Sequence, residues 1–232
     1  GCDFDSPVNS FLENRLSGFD KVVFLFVDAL GYDQLRAEKG AVFFNNLADY
    51  GRVVTACFPS TTAVSVASFV TGLTPQQHGI LGYNLRVEEL GGLVNMLKYY
   101  RVESGESAIV SSDFFPFKTV GEKLKEKEVK SFAVIPEEIC GTVFSDFTLR
   151  GFDKNSYVGV NDFFNKIGCL LDSSKKMFVH AYIPSYDWVC HFFGPESDVS
   201  RHHLRGLSAD VEAFIENYAK KEGYDYVSHT GE

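Results

Sequence analysis

The sequence predicts an α/β sandwich with a mostly parallel central sheet flanked by helices. Two patterns carry this expectation. Short, near-continuous apolar runs at Lys21–Asp28, Ser131–Ile135 and Lys176–Ile183 have the length and composition of strands buried in a parallel sheet. Amphipathic segments of helical period separate them, and that alternation is the pattern of strands joined by crossover helices. Size agrees: 232 residues, 45% hydrophobic and 23% charged, suffice for one large core. A single domain over residues 1–232 is expected.

The elements follow in order. Lys21–Asp28 reads as the first strand, buried on both faces, and Gly31–Asp49 as loop and helix. Val53–Phe58 reads as a short strand. Ala63–Thr71 reads as a helix that Gly72 closes and Pro75 stops from continuing. Residues 84–105 carry no clear period, and Leu93–Tyr99 fits a strand or a helix. Val120–Lys127 reads as a helix, Ser131–Ile135 as a strand ending at Pro136, and Asn161–Leu171 as an amphipathic helix. After the strand Lys176–Ile183, Ser197–Lys221 reads as a long helix with Leu204, Leu207, Val211, Phe214, Ile215 and Tyr218 on one face. Tyr224–Ser228 reads as the start of a last strand.

Charge and cysteine usage narrow the function classes. The formal net charge of −9 gives no electrostatic support for binding a nucleic-acid duplex. Phenylalanine is unusually frequent, 22 residues, which suits an aromatic-rich core. The cysteines, Cys2, Cys57, Cys140, Cys169 and Cys190, are scattered and odd in number. They form neither a disulfide framework nor a thiolate zinc site, and a reducing, cytoplasmic compartment is expected. No apolar run is long enough for a membrane span. The segment Gly1–Asp5 does not read as a signal peptide. Oligomeric state leaves no mark in the sequence.

The most informative stretch is Phe58-Pro-Ser-Thr-Thr62 leading into Ala63–Gly72, followed by Pro75, His78-Gly-Ile80 and Gly82. It places Ser60, Thr61 and Thr62 at a helix N-terminus, where unpaired N–H groups and the dipole favour an anion such as phosphate. A threonine there can attack phosphorus once its hydroxyl is activated, and a bound metal does this well. It also fits a plain N-cap. Asp28, at the end of a strand, fits a loop cap or a metal ligand. Asp187 and His191 fit either an i,i+4 surface pair or two ligands on one metal. Among the other histidines, His78 reads as a turn residue and His180 as a hydrogen-bonded core residue. His202 and His203 read as lying near an exposed helix face.

Three segments together resemble the alkaline phosphatase superfamily, in its type I phosphodiesterase/nucleotide pyrophosphatase family. Val22–Asp33 is similar to the opening strand and its aspartate, and Phe58–Gly82 to the nucleophile helix and the following turn. Tyr182–Ser197 is similar to the aspartate–histidine metal motif with its trailing Gly-Pro-x-Ser. The motifs keep the family's order and span roughly residues 20 to 200. The resemblance implies an alkaline-phosphatase-like sandwich and a metal-dependent hydrolase of phosphodiester or nucleotide pyrophosphate bonds, acting on small phosphate esters. Phosphomonoester or phosphonate hydrolysis, phosphotransfer, and a non-catalytic binding domain are the alternatives.

Pro59, Thr62 and Thr71-Gly72 fit the family's Pro-x-x-Thr…Thr-Gly frame, which points to Thr62 as nucleophile through a phosphothreonine intermediate, with Thr61 as fallback. Cys57-x-Pro-Ser60 is similar to a sulfatase signature, but that signature needs arginine where Thr61 stands. The resemblance implies two divalent metal ions, Zn²⁺ first, with Mn²⁺ or Fe as alternatives. Their ligands would come from Asp28, Thr62, Asp187 and His191, with His229 near the end of the chain. The family places an asparagine after His-Gly-Ile to hold the phosphoryl oxygen; here that position is Tyr83, and Asn84 comes next. The family's late Asp-His-Gly motif meets only Ser228-His229-Thr230, and its further histidine has no counterpart. Sequence missing beyond the chain is the expected explanation.

Overall fold

The computed structural model describes residues 18–49, 53–108 and 115–222. The chain opens with β1 (Lys21–Val27), then α1 (Tyr32–Ala37), α2 (Val42–Asp49), α3 (Thr62–Thr71) and α4 (Pro75–His78). Three short strands follow, β2 (Asn84–Val87), β3 (Gly92–Asn95) and β4 (Tyr100–Arg101). Next come α5 (Val120–Lys125), β5 (Lys130–Pro136), α6 (Glu137–Cys140), α7 (Val143–Thr148) and β6 (Asp153–Tyr157). The described part closes with α8 (Val160–Ser173), β7 (Met177–Ile183), α9 (Ser185–Phe193) and α10 (Asp198–Glu222).

The expected parallel sheet is present, in the order β1-β7-β5-β6. Its late strand β7 inserts between β1 and β5, with Lys21 opposite Met177 and Val27 opposite Ile183. The period-two alternation sorts side chains onto two faces. Met177, Val179, Ala181 and Ile183 of β7 join Phe132 and Val134 of β5 in the main core. That core is closed by Phe43 and Phe44 of α2, Phe163, Ile167 and Leu171 of α8, and Leu204, Leu207 and Val211 of α10. Each such fully buried side chain is worth roughly 1.5–3 kcal/mol of transfer free energy. On the opposite face, Phe24, Phe26 and His180 gather around Phe69 of α3, whose ring stacks on Phe24 at 4.1 Å between centroids, and Phe152 meets His180. Helices on both faces make the layers of a sandwich.

The structure corrects several expectations. β1 is not buried on both faces: it is the edge of the sheet among the described residues, and Val23 and Phe24 are each 37% exposed. Val53–Phe58 forms no strand and lies exposed, because no described strand pairs with it. The region without clear period is a small antiparallel sheet, β2-β3-β4, packed with α3 around Val94, Met96 and Tyr99. β6 escaped sequence reasoning because Asp-Lys-Asn-Ser-Tyr has no apolar run; backbone pairing with β5 makes it a strand. Tyr224–Ser228 falls outside the described residues. Among the described residues no helix is long and apolar enough to cross a membrane.

Candidate active site

The site forms where β1 and β7 end on the carboxyl edge of the sheet, the usual place for a ligand in a parallel α/β fold. Asp28 extends the β1–β7 ladder, its N–H donating to the Ile183 carbonyl at 3.0 Å. Ala29 then turns the chain with φ of 60°, a left-handed conformation that a residue with a Cβ seldom adopts. That turn lets the Ala29 N–H donate to Asp28 Oδ1 at 3.0 Å. Across the cleft, α3 begins at Thr62, whose hydroxyl donates to Asp28 Oδ2 at 3.1 Å. The Tyr182 hydroxyl, from the penultimate residue of β7, donates to the same oxygen at 2.6 Å. Asp28 is only 8% exposed, so these donors are what makes a buried carboxylate tenable. Burial, and then the charge of Asp28, hold the Tyr182 phenol far above its usual range, so it remains a donor.

The helix α9 brings the second pair. Asp187 and His191 are one turn apart on it, with His191 Nε2 3.5 Å from Asp187 Oδ2. Burial raises the Asp187 carboxyl, the nearby Asp28 charge raises it further, and His191 pulls it down. Asp28, Thr61, Thr62, Tyr83, Asp187 and His191 all line one cleft of about 860 Å³. Two carboxylates that repel each other across it, beside an imidazole and a hydroxyl, form a donor set whose chemistry fits a divalent cation. Among the described residues, no three His, Cys, Asp or Glu side chains converge enough to enclose one.

The structure thus brings Asp28, Thr62, Tyr83, Asp187 and His191 together. Asn84 sits on β2 outside the cleft lining, its Oδ1 accepting from Asn95 Nδ2 at 3.3 Å. His229 lies outside the described residues. Thr61 lines the cleft, but its buried hydroxyl has no partner among the described residues, and it does not cap α3. Tyr182 escaped sequence reasoning. Alternation along Met177–Ile183 puts its hydroxyl on the Phe178–His180 face, but its partner is 154 residues away.

The other described histidines lie outside this cleft. His78 is buried in the turn after α3, its Nδ1 accepting from the Ile80 N–H at 3.1 Å and its Nε2 2.9 Å from Ser68 Oγ. His180 is buried as expected but is not satisfied: its Nδ1 has no hydrogen-bond partner among the described residues. His202 is exposed, and the half-buried His203 meets Ser185 Oγ through Nε2 at 2.9 Å.

Known proteins share the fold. Murine ectonucleotide pyrophosphatase/phosphodiesterase 5 has a similar fold, with a TM-score of 0.68 and 17% identity over 89% of this chain and 54% of that one. An inactive threonine-to-alanine variant of that murine protein, in complex with AMP, gives a TM-score of 0.67 and 18% identity, covering 87% of this chain and 53% of the other. Phosphonoacetate hydrolase from Sinorhizobium meliloti 1021, in complex with phosphonoacetate, gives 0.61 and 14%, covering 85% and 53%. This chain spans about half the length of each. No curated protein matches the sequence. The sequence profile of type I phosphodiesterases and nucleotide pyrophosphatases matches residues 22–227, nearly the whole chain and all three motifs. The chain therefore belongs to the type I phosphodiesterase/nucleotide pyrophosphatase family.

Proposed function

We propose that this domain hydrolyses phosphodiester or nucleotide pyrophosphate bonds, with Thr62 as the nucleophile. The observation that carries this reading is the hydrogen bond from Thr62 to Asp28 at the mouth of α3. It joins a nucleophile to a carboxylate inside a cleft large enough for a nucleotide-sized ester. Of the three adjacent hydroxyls, only Thr62 has this partner, which supports it over Thr61. The relative bound to AMP supports a nucleotide ester as substrate, and its inactivity after a threonine-to-alanine change supports a threonine in the reaction.

Each residue then has a task. The first-turn N–H groups of α3 and its dipole attract the phosphoryl group. Thr62 Oγ attacks phosphorus in line, forming the Oγ–P bond as the bond to the leaving oxygen breaks. Its proton passes toward Asp28 Oδ2, which Tyr182 holds in place. Water then cleaves the phosphothreonine, releasing a phosphomonoester and restoring the hydroxyl. Tyr83, in the cleft wall, offers a phenolic donor to a non-bridging oxygen, whereas Asn84 is engaged with Asn95. Two divalent cations, Zn²⁺ first with Mn²⁺ or Fe as alternatives, would be held by Asp28 with Thr62 and by Asp187 with His191. Bound there, they supply Lewis-acid stabilisation of the attacking and leaving oxygens.

A second reading, phosphonate or monoester hydrolysis on the same scaffold, draws on the similarity to phosphonoacetate hydrolase. Rates on a bis-aryl phosphate, an aryl monophosphate and phosphonoacetate, with Zn²⁺ or Mn²⁺ present, separate the two. Thr62→Ala is expected to lose turnover by at least about a thousandfold while the cation held by Asp187 with His191 remains by elemental analysis. Normal turnover by that variant sinks the nucleophile assignment. A wild-type chain inert with either metal would be a binding domain instead.

A further inference from the structure

We infer that Ser200 and His203 of α10 are positioning residues that clamp α9 at both ends and so set where Asp187 and His191 stand. The inference rests on the metal-binding role proposed for that pair. A nine-residue helix is marginal on its own in water, so α9 needs outside support. Its own sequence supplies little at the start, where Pro184 occupies the N-cap position and offers no side-chain cap. There the first residue, Ser185, meets His203 Nε2 at 2.9 Å. At the other end Gly194 closes the helix, and its carbonyl accepts from Ser200 Oγ at 2.7 Å and lies 2.9 Å from Ser197 Oγ. Ser197 also caps α10, accepting the Ser200 N–H at 3.1 Å.

Ser200 and His203 are three residues apart and therefore neighbours on one face of α10. Between them they contact the first residue of α9 and the glycine after its last. Ser200 is fully buried, and Leu204 and Leu207 beside it anchor α10 in the main core. Tyr186, 1% exposed, is the one fully seated side chain of α9. Trp188, Phe192 and Phe193 are 65%, 80% and 58% exposed, so these large side chains add little packing to α9. Support from α10 is thus what fixes the cleft side of the helix.

The test compares the full-length wild type with Ser200→Ala, His203→Leu and His203→Gln. Glutamine can donate or accept, so it replaces the histidine contact whichever way the proton points. Two readouts are used: hydrogen exchange of the amides of α9 relative to those of α10, and Zn²⁺ affinity by equilibrium titration. Expected are about tenfold faster exchange across α9 and about tenfold weaker Zn²⁺ binding in Ser200→Ala and in His203→Leu, with His203→Gln close to wild type. Unchanged exchange in α9, or an equal rise in α10, overturns the clamp, as does a His203→Gln variant that behaves like His203→Leu. Asp187→Asn is the reference. If it loses Zn²⁺ affinity while His203→Leu does not, the clamp is overturned. If Asp187→Asn leaves Zn²⁺ binding unchanged, the metal role of that pair fails instead, and the exchange data alone decide the clamp.

Discussion

Asp28 shows at the residue scale how much a single side chain can hide. Its place at the end of an apolar run made it a candidate from sequence, but the donors that hold it come from Ala29, Thr62 and Tyr182. Only the first is local, so the carboxylate's surroundings had no signature in the chain. His180 is the converse, a residue whose burial was legible but whose Nδ1, unpartnered among the described residues, was not. Surrounded by Phe24, Phe26, Phe69 and Phe152, its imidazole is pushed down by burial to about 4. The unfolded chain, with the usual 6.5, binds more protons between those values, so His180 makes stability rise with pH across that window and level off above it. Acidification from pH 7 to pH 4 is expected to remove about 3 kcal/mol through this residue. Urea unfolding at several pH values should show that slope in the wild type and its loss in His180→Leu. Equal slopes in both proteins would mean that other groups carry the dependence.

Elements were legible where local chemistry suffices and obscure where pairing decides. α3 ended where expected because Gly72 takes a left-handed φ of 70° and its N–H reaches the Ser68 carbonyl at 2.8 Å. Space around Gly72 is open, so Gly72→Ala tests the backbone alone and is expected to cost about 1 kcal/mol. Gly151 adds crowding to the same backbone demand. Its φ is 81°, and an added Cβ would sit 2.4 Å from the backbone of Gly121 and Glu122. Gly151→Ala is therefore expected to cost several kcal/mol, well beyond Gly72→Ala, when both are compared by urea denaturation. Similar losses for the two would show that the chain at Gly151 relaxes. Val53–Phe58 marks the limit of such reasoning, since an apolar β-branched run became a strand only in expectation. A strand needs a neighbour, and none of the described ones lies beside it.

Across the whole molecule, the insertion of β7 beside β1 assembles the cleft. It puts Tyr182 next to Asp28 and launches α9, with Asp187 and His191, over the same sheet edge as the start of α3. The same construction leaves apolar surface uncovered. Trp188 and Phe192, one turn apart, are exposed on α9, and Phe193 follows them. Such a patch favours self-association. The double variant Phe192→Ser, Phe193→Ser is expected to scatter less light at high concentration and to change stability by no more than about 0.5 kcal/mol. A marked loss of stability would mean that these rings are buried in solution.

Local pattern was enough for the parallel α/β class, for the longest helices, α3, α8 and α10, and for the three motifs that identify the family. Strand length, helical period, glycine stops and motif spacing are properties of neighbouring residues. Tertiary structure alone decided that β7 sits between β1 and β5, that the distant Tyr182 and Thr62 join Ala29 in holding Asp28, and that Tyr83 rather than Asn84 faces the cleft. It also decided that Ser200 and His203 hold both ends of α9. The physical reason is common to all of these. Hydrogen bonds and packing between segments far apart in sequence form only when the strand order brings them together, and no local pattern encodes that order.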